Sequence, residues 1–329
     1  MLLLNMLTSK YYISIFLTIF TFSNVSHAQD KNYNIWLSEL RKEAIEKGIS
    51  ETTFDKTMES VVILDKVKKL DKKQPEKTIT FIDYYKRTVN NNRIKIGKEK
   101  LNLHKKEIRE IADKYGVQAR FILSIWGIET NYGTYTGSFS VISSLTSLAF
   151  NGRRAKFFRN ELLDALEILD KGYIELKDMK GSWAGAMGQS QFMPSSYLEY
   201  AQDYDKDGKK DIWNNYLDVF SSIAFYLKSH GWDNTKTWGR EVLVPKDILI
   251  SYKENYTDKK TLKFWSDIGI RKYNGGELPT INLTANLILP DGPEGKAFLV
   301  YDNFYTIKKY NASNYYALSI GILSDRIKF

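Results

Sequence analysis

The 329-residue chain contains no cysteine. Disulfides, thiolate nucleophiles and cysteine-bound zinc are therefore excluded. So is N-terminal lipidation, which needs a cysteine after the leader. Histidine is nearly absent too: three occur, and His27 falls in the leader. His104 and His230 are too few for a histidine metal centre, and neither lies near the nucleophile elbow of a Ser-His-Asp triad. There is no zinc-ligand spacing, no RNA-binding aromatic signature, no repeat and no low-complexity tract. Any chemistry falls to carboxylates.

Lys and Arg number 48 against 39 Asp and Glu, a net charge of +9. Such a balance attracts polyanions without specificity. The lysines between Lys66 and Lys77 and between Lys98 and Lys106 are spread as on solvated helix faces. A hydrophobic share of 43% and a charged share of 26% describe a globular chain with room for one large domain or two modest ones. The 22 Tyr, 17 Phe and 7 Trp suit stacking on sugar faces and equally suit an ordinary core.

Residues 1–28 hold Lys10, an apolar run from Tyr11 to Phe22, and Ser26-His27-Ala28. This reads as a secretory signal with a small-x-small cleavage site, an uncleaved anchor being the alternative. The periodicity from residue 29 to 117 is helical, with lysine-rich faces and a polar break at 71–78. Helices are expected over 118–133, Asn160–Gly172, Leu217–Lys228 and Asn314–Ile327. After Trp232 the texture changes. Glu241-Val-Leu-Val-Pro, 281–290 and Phe298-Leu-Val-Tyr301 read as short strands between glycine turns. The fold expected is α+β and mainly helical, with a β-rich segment over 233–329.

Glu129 follows Phe121, Ile122, Ile125 and Trp126 at helical spacing, so its carboxyl lies on the apolar face of its own helix. Desolvation disfavours the charged form, and a carboxyl held neutral beside an apolar pocket can act as a general acid in glycosidic cleavage. A structural glutamate bonded to a helix end or an arginine is the competing reading.

Three further stretches stand out. Arg153 and Arg154 are adjacent and could hold a polar or acidic ligand, or pair with Glu161 or Asp164. The run Gly181 to Tyr197 contains a wall of small residues where backbone can approach a ligand, with Ser182 and Gln191 offering hydrogen bonds; a tight turn between helices is the plainer reading. Asp203, Asp205 and Asp207 with Gly208 match positions one, three, five and six of a calcium loop. Position twelve is Asn214 rather than Glu; Asp218 could substitute through a longer loop, and a plain acidic turn is the alternative.

These stretches resemble the lytic murein transglycosylase B family (glycoside hydrolase family 103). The likeness runs from about Trp36 to Ile327. It is carried by Gly127-Ile-Glu-Thr-Asn-Tyr-Gly133, Ser182 to Tyr197, Asp205 to Trp213, Tyr226-Leu-Lys-Ser-His-Gly-Trp232 and Asn303 to Ser313. The resemblance implies a lysozyme-like core over 118–232, with an EF-hand-like calcium loop at 203–218 and a glycan groove to which the last segment returns. It implies that Glu129 is the single acid/base. Tyr84, Ser182, Gln191, Phe192, Tyr226, Tyr310 and Asn311 match groove positions, and Arg153 and Arg154 match an arginine pair near the peptide-bearing sugar. Asp203, Asp205, Asp207, the Lys209 carbonyl and Asp218 match the calcium ligands, in a loop one residue longer here than in the best-known member.

The activity so implied is non-hydrolytic cleavage of peptidoglycan. A hydrolytic muramidase and a non-catalytic wall-binding protein are the alternatives. Hydrolytic glycosidases use two carboxylates, and the sequence offers one convincing candidate. No organic cofactor is expected, only a structural calcium ion. The partners expected are peptidoglycan strands and other cell-wall enzymes, not nucleic acid, for a monomeric, exported, periplasmic chain.

Overall fold

A computed structural model describes residues 32–72, 79–255 and 258–327. The leader expected over residues 1–28 lies outside them, as does most of the polar break at 71–78. Seven helices come first: α1 (32–46), α2 (Glu51–Glu59), α3 (Asp65–Lys72), α4 (Phe81–Thr88), α5 (Asn91–Leu103), α6 (Lys105–Tyr115) and α7 (Ala119–Thr130). Then come β1 (Phe139–Ser140), α8 (Val141–Asn151), α9 (Ala155–Asp170), β2 (Lys180–Gly181), α10 (Pro194–Tyr200) and α11 (Tyr216–Ser229). Ser50, Thr80, Asn90, Ser140 and Asn215 precede helices in extended backbone. Each side-chain oxygen accepts a backbone N–H two or three residues on, which satisfies a donor that the first turn leaves open.

The apolar stripe of α7 is at the centre. Phe121, Ile122, Leu123, Ile125 and Trp126 are fully buried, and α5, α6, α11 and α15 pack around the helix. α7 ends at Thr130, short of the expected 133, because Asn131 takes the left-handed C-cap two residues before Gly133. α8 was not foreseen. Its residues 141–149 are all buried, including Ser143, Ser144, Thr146 and Ser147. A helix enclosed on every side has no apolar–polar period to read.

The later segment contains β3 (Gly239–Leu243), α12 (Lys246–Asn255), β4 (Lys260–Thr261), α13 (Leu262–Asp267), β5 (Arg271–Lys272), β6 (Thr284–Ile288) and β7 (Ala297–Val300). Its strands form one antiparallel sheet in the order β4-β6-β7-β3-β5. The expected strands are found; α12 and α13, interleaved among them, were not anticipated. β7 is the seam between two cores. Phe298 and Val300 join the helical core, while Ala297 and Leu299 join the sheet's own core with Trp265 and Leu287. That split follows the two-residue period of a strand. α14 (Asp302–Tyr310) and α15 (Asn314–Ile327) then return the chain to the helical body, where α15 packs on α4, α5 and α7. Among the described residues no helix is long and apolar enough to cross a membrane.

Candidate active site

α7 delivers Glu129 in its last turn, half-buried. Burial pushes the carboxyl up to about 7, against one opposing influence, the Tyr316 hydroxyl, which donates to Oε1 at 2.6 Å. No second carboxylate acts on Glu129 among the described residues. Tyr316 comes from α15 and is buried. Burial and the neighbouring Glu129 hold its hydroxyl well above the usual tyrosine range, so it stays a neutral donor. Sequence reasoning missed Tyr316: it is 187 positions from its partner and stands in no motif.

The chain just past Glu129 is pinned. Asn131 and Tyr132 both take positive φ, at 50° and 59°. The Tyr132 hydroxyl donates to the Arg93 carbonyl at 3.0 Å. Its ring lies so close to α7 and α5 that a Cβ on Gly127 would approach its Cζ to 2.6 Å, and one on Gly97 its hydroxyl to 2.3 Å. These two glycines exist to admit that ring.

The segment after β2 packs against the end of α7. Ser182 Oγ accepts from Ala184 N at 3.3 Å and Ala186 N at 3.0 Å, which leaves its proton free to donate. Gln189 locks this segment to α7. Its Oε1 accepts from Trp126 Nε1 at 2.8 Å, its Nε2 donates to the Trp213 carbonyl at 2.7 Å, and its own carbonyl accepts from Thr130. Gln191, at φ 52°, donates from Nε2 to Thr136 O at 3.0 Å and Gly188 O at 2.9 Å. Its amide oxygen is the atom left for a ligand.

Phe192, Tyr226 and Tyr310 form a ring triangle with centroids 5.7, 4.7 and 5.7 Å apart. Tyr226 donates to Lys309 O at 2.7 Å, and Tyr310 donates to Ser190 O at 2.5 Å. Both hydroxyls are thus spent on backbone. Phe192 and Tyr226 are buried, so they support the wall more than they surface it. Tyr310 lies beside Glu129, whose charge helps hold its hydroxyl protonated. Asn311 is exposed. It shares with Tyr84 a cleft of about 670 Å³ between α4 and the α14–α15 turn. Arg153 and Arg154 are exposed in the α8–α9 turn, and among the described residues neither forms an ion pair. Glu161 instead caps α10 through Ser195, and Asp164 takes Lys47, so the pairing considered for the arginines does not occur.

The acidic loop brings oxygens of Asp203, Asp205 and Asp218 within 4.8 Å of one another. Asp218, in the first turn of α11, is fully buried and accepts from Tyr204 N and Asp211 N at 2.8 Å each. Burial, with Asp205 and Asp203 nearby, lifts its carboxyl to about 6. Asp207 turns instead to Lys209 N at 2.8 Å. A buried carboxylate facing two others lacks a compensating charge, and an all-oxygen set of this kind fits a hard divalent cation.

Residues 32–325 match the model of the transglycosylase SLT domain. The chain belongs to this lytic transglycosylase family. Membrane-bound lytic murein transglycosylase B of Escherichia coli (strain K12) is 30% identical over 249 residues, covering 75% of this chain and 67% of that protein. SltB3 from Pseudomonas aeruginosa, solved in complex with NAG-NAM-pentapeptide, superposes on this transglycosylase with a TM-score of 0.86 and 40% identity. The match covers 90% of this chain and 79% of that one. Slt35 from Escherichia coli, solved in complex with calcium, gives a TM-score of 0.76 at 27% identity over 88% and 92%.

Proposed function

We propose that this lytic transglycosylase cleaves the β-1,4 bond between N-acetylmuramic acid and N-acetylglucosamine, with Glu129 as acid and then base. One observation carries the reading: a half-buried carboxyl at about 7, with no second carboxylate acting on it. A pKa near the working pH suits a group that must give a proton and then take one. Glu129 protonates the glycosidic oxygen as the bond to muramic acid C1 breaks. The acetamido carbonyl of the same sugar can stabilise the positive charge at C1. Glu129, now a carboxylate, accepts the proton of the C6 hydroxyl as O6 bonds to C1. The product is a 1,6-anhydro end, and no water is consumed. Tyr316 steadies the carboxylate between the two steps by its hydrogen bond.

Ser182 donates to substrate or to Glu129, Gln191 and Asn311 hold acetamido or acetyl groups, and Tyr84 and Tyr310 border the sugar. Phe192 and Tyr226 back this wall. Arg153 and Arg154 face the peptide-bearing side. Asp203, Asp205 and Asp218, joined by Asp207 and the Lys209 carbonyl, would hold calcium. Bound there, the ion neutralises the acidic loop and clamps it to α11. In this reading 118–232 is the catalytic core, the chain is exported to the periplasm, and it acts as a monomer, associated with other wall enzymes.

The test is mass spectrometry of soluble products released from purified peptidoglycan. Anhydro-muropeptides are expected. Reducing ends would make the enzyme a hydrolytic muramidase, and binding without products would leave a wall-binding protein.

A further inference from the structure

The β-rich segment carries a cleft of its own. It lies between β3, α12 and the β6–β7 turn, with Ile82 of α4 completing it, and encloses about 660 Å³. None of the residues placed in the glycan groove lines it. Its first distinguishing feature is apolar exposure. Val242 enters the sheet's own core, so the two-residue period of β3 turns Leu243 outward, where it is 47% exposed. Tyr273, just past β5, is 62% exposed, and Val244 and Leu249 continue the apolar lining. Large apolar side chains grouped at the surface mark sites of interaction.

The second feature is charge. Glu241, Asp291 and Glu294 set three carboxylates against one amine, that of Lys296, in a chain whose net charge is +9. Lys296 is paired with Glu241 at 2.6 Å, and its ammonium lies 5.4 Å from the centre of the Tyr273 ring. Glu294 is exposed and, among the described residues, forms no ion pair. The cleft is also held in shape before anything binds. Asp291 accepts from Phe81 N at 2.6 Å, from Ile82 N at 3.1 Å and from the Tyr315 hydroxyl at 3.3 Å, which ties the β6–β7 turn to α4 and α15. Such a site has little freedom left to lose on binding.

An occupant must bring apolar groups for Leu243 and Tyr273 and positive charge for Glu294. The carboxylates disfavour an anionic wall polymer or an anionic lipid surface. A bare cation would leave the apolar lining uncovered. The volume falls within the range of roughly 300–1,000 Å³ that holds a small ligand, so a short stretch of side chains fits and a folded surface does not. We propose that this cleft docks another protein through a short segment in which Lys or Arg alternates with large apolar side chains. The basic group meets Glu294 and the face of Tyr273, and the apolar ones cover Leu243 and Leu249. Charge gives the contact its selectivity and its salt dependence.

The experiment measures binding of a labelled, end-capped Leu-Lys-Phe-Lys-Leu peptide by fluorescence anisotropy, without glycan, so its outcome is separate from that of the transglycosylase reading. Two control peptides replace both Lys by Glu, or the three apolar residues by Ser. The proteins are the wild type, Glu294→Lys, Leu243→Ser and Glu59→Lys, the last making the same charge change at an exposed position on α2; circular dichroism checks each fold. The wild type is expected to bind the basic–apolar peptide about tenfold or more tightly than either control peptide. Glu294→Lys weakens that binding about tenfold and Leu243→Ser about threefold, while Glu59→Lys changes it little. The Glu294 effect shrinks at high salt. No binding by the wild type, equal binding of all three peptides, or equal losses in Glu294→Lys and Glu59→Lys overturns the proposal. So does sedimentation showing a wild-type dimer that Glu294→Lys dissolves, since a second copy of the chain would then cover the cleft.

Discussion

Glu129 and Asp218 sit on α7 and α11, two helices packed against each other, and both carboxyls are lifted by burial. Their surroundings differ in kind. Glu129 keeps part of its surface accessible and has a single side-chain donor, with no acid beside it. Asp218 is sealed, takes two backbone N–H bonds, and faces Asp203 and Asp205. The same physical penalty therefore serves two ends. A lone, reachable carboxyl near neutrality can move a proton. A sealed one among other acids is relieved by a cation or by staying protonated. Elevated pKa alone does not mark an acid/base; access and the sign of the neighbours do.

The contrast can be broken most forcefully at Glu129. Glu129→Gln removes both acid and base, and product release is expected to fall by about 10³-fold or more while the fold persists, checked by circular dichroism. At the other pole, calcium is expected to raise the melting temperature of the wild type. With the ion at a hundredfold excess over its Kd, the gain is about 2.7 kcal/mol. Asp218→Asn should melt at the same temperature in calcium and in chelator. A calcium response surviving that change would separate Asp218 from the metal.

A subtler change sharpens the Glu129 side. The Tyr316 hydrogen bond lowers the Glu129 pKa, so Tyr316→Phe should raise it above about 7. The acid form then persists further, and the alkaline limb of the pH profile of kcat/KM moves up by roughly one unit. A loss of rate with an unmoved limb would reduce Tyr316 to packing. The smallest effect is on stability. A carboxyl raised from 4.5 to about 7 contributes fully below pH 4.5, and that contribution is lost as pH rises through 7. Glu129→Gln should therefore melt higher than wild type at pH 8, by about 2–4 °C, and show little gain at pH 4.

How far the sequence reached follows from where the information lies. The Glu129 helix was legible because Phe121, Ile122, Ile125 and Trp126 repeat at helical spacing, and all four are fully buried. The closing helix Asn314–Ile327 has the bounds expected of it. α8 was invisible because it is enclosed on all sides, and its buried serines and threonine mimic a polar stretch. α13 was hidden because six residues are too few to show a period; its Thr261 cap and buried Trp265 emerge only in three dimensions. In the site, residues on local motifs could be nominated, whereas Tyr316 and Gln189 act through partners 187 and 63 positions away. No spacing rule reaches that far. Phe192 and Tyr226, nominated from the same kind of local stretch, are buried in the structure.

The central claim is that burial, tempered by one tyrosine, holds Glu129 near neutrality in the folded enzyme. The most direct measurement is a carbon-13 NMR titration of glutamate carboxyls in the wild type, with Glu129→Gln identifying the resonance. The account predicts a midpoint at about 7. A Glu129 carboxyl that titrates near the ordinary 4.5 would contradict it, for the residue would then be ionised at working pH and could not begin the reaction as an acid.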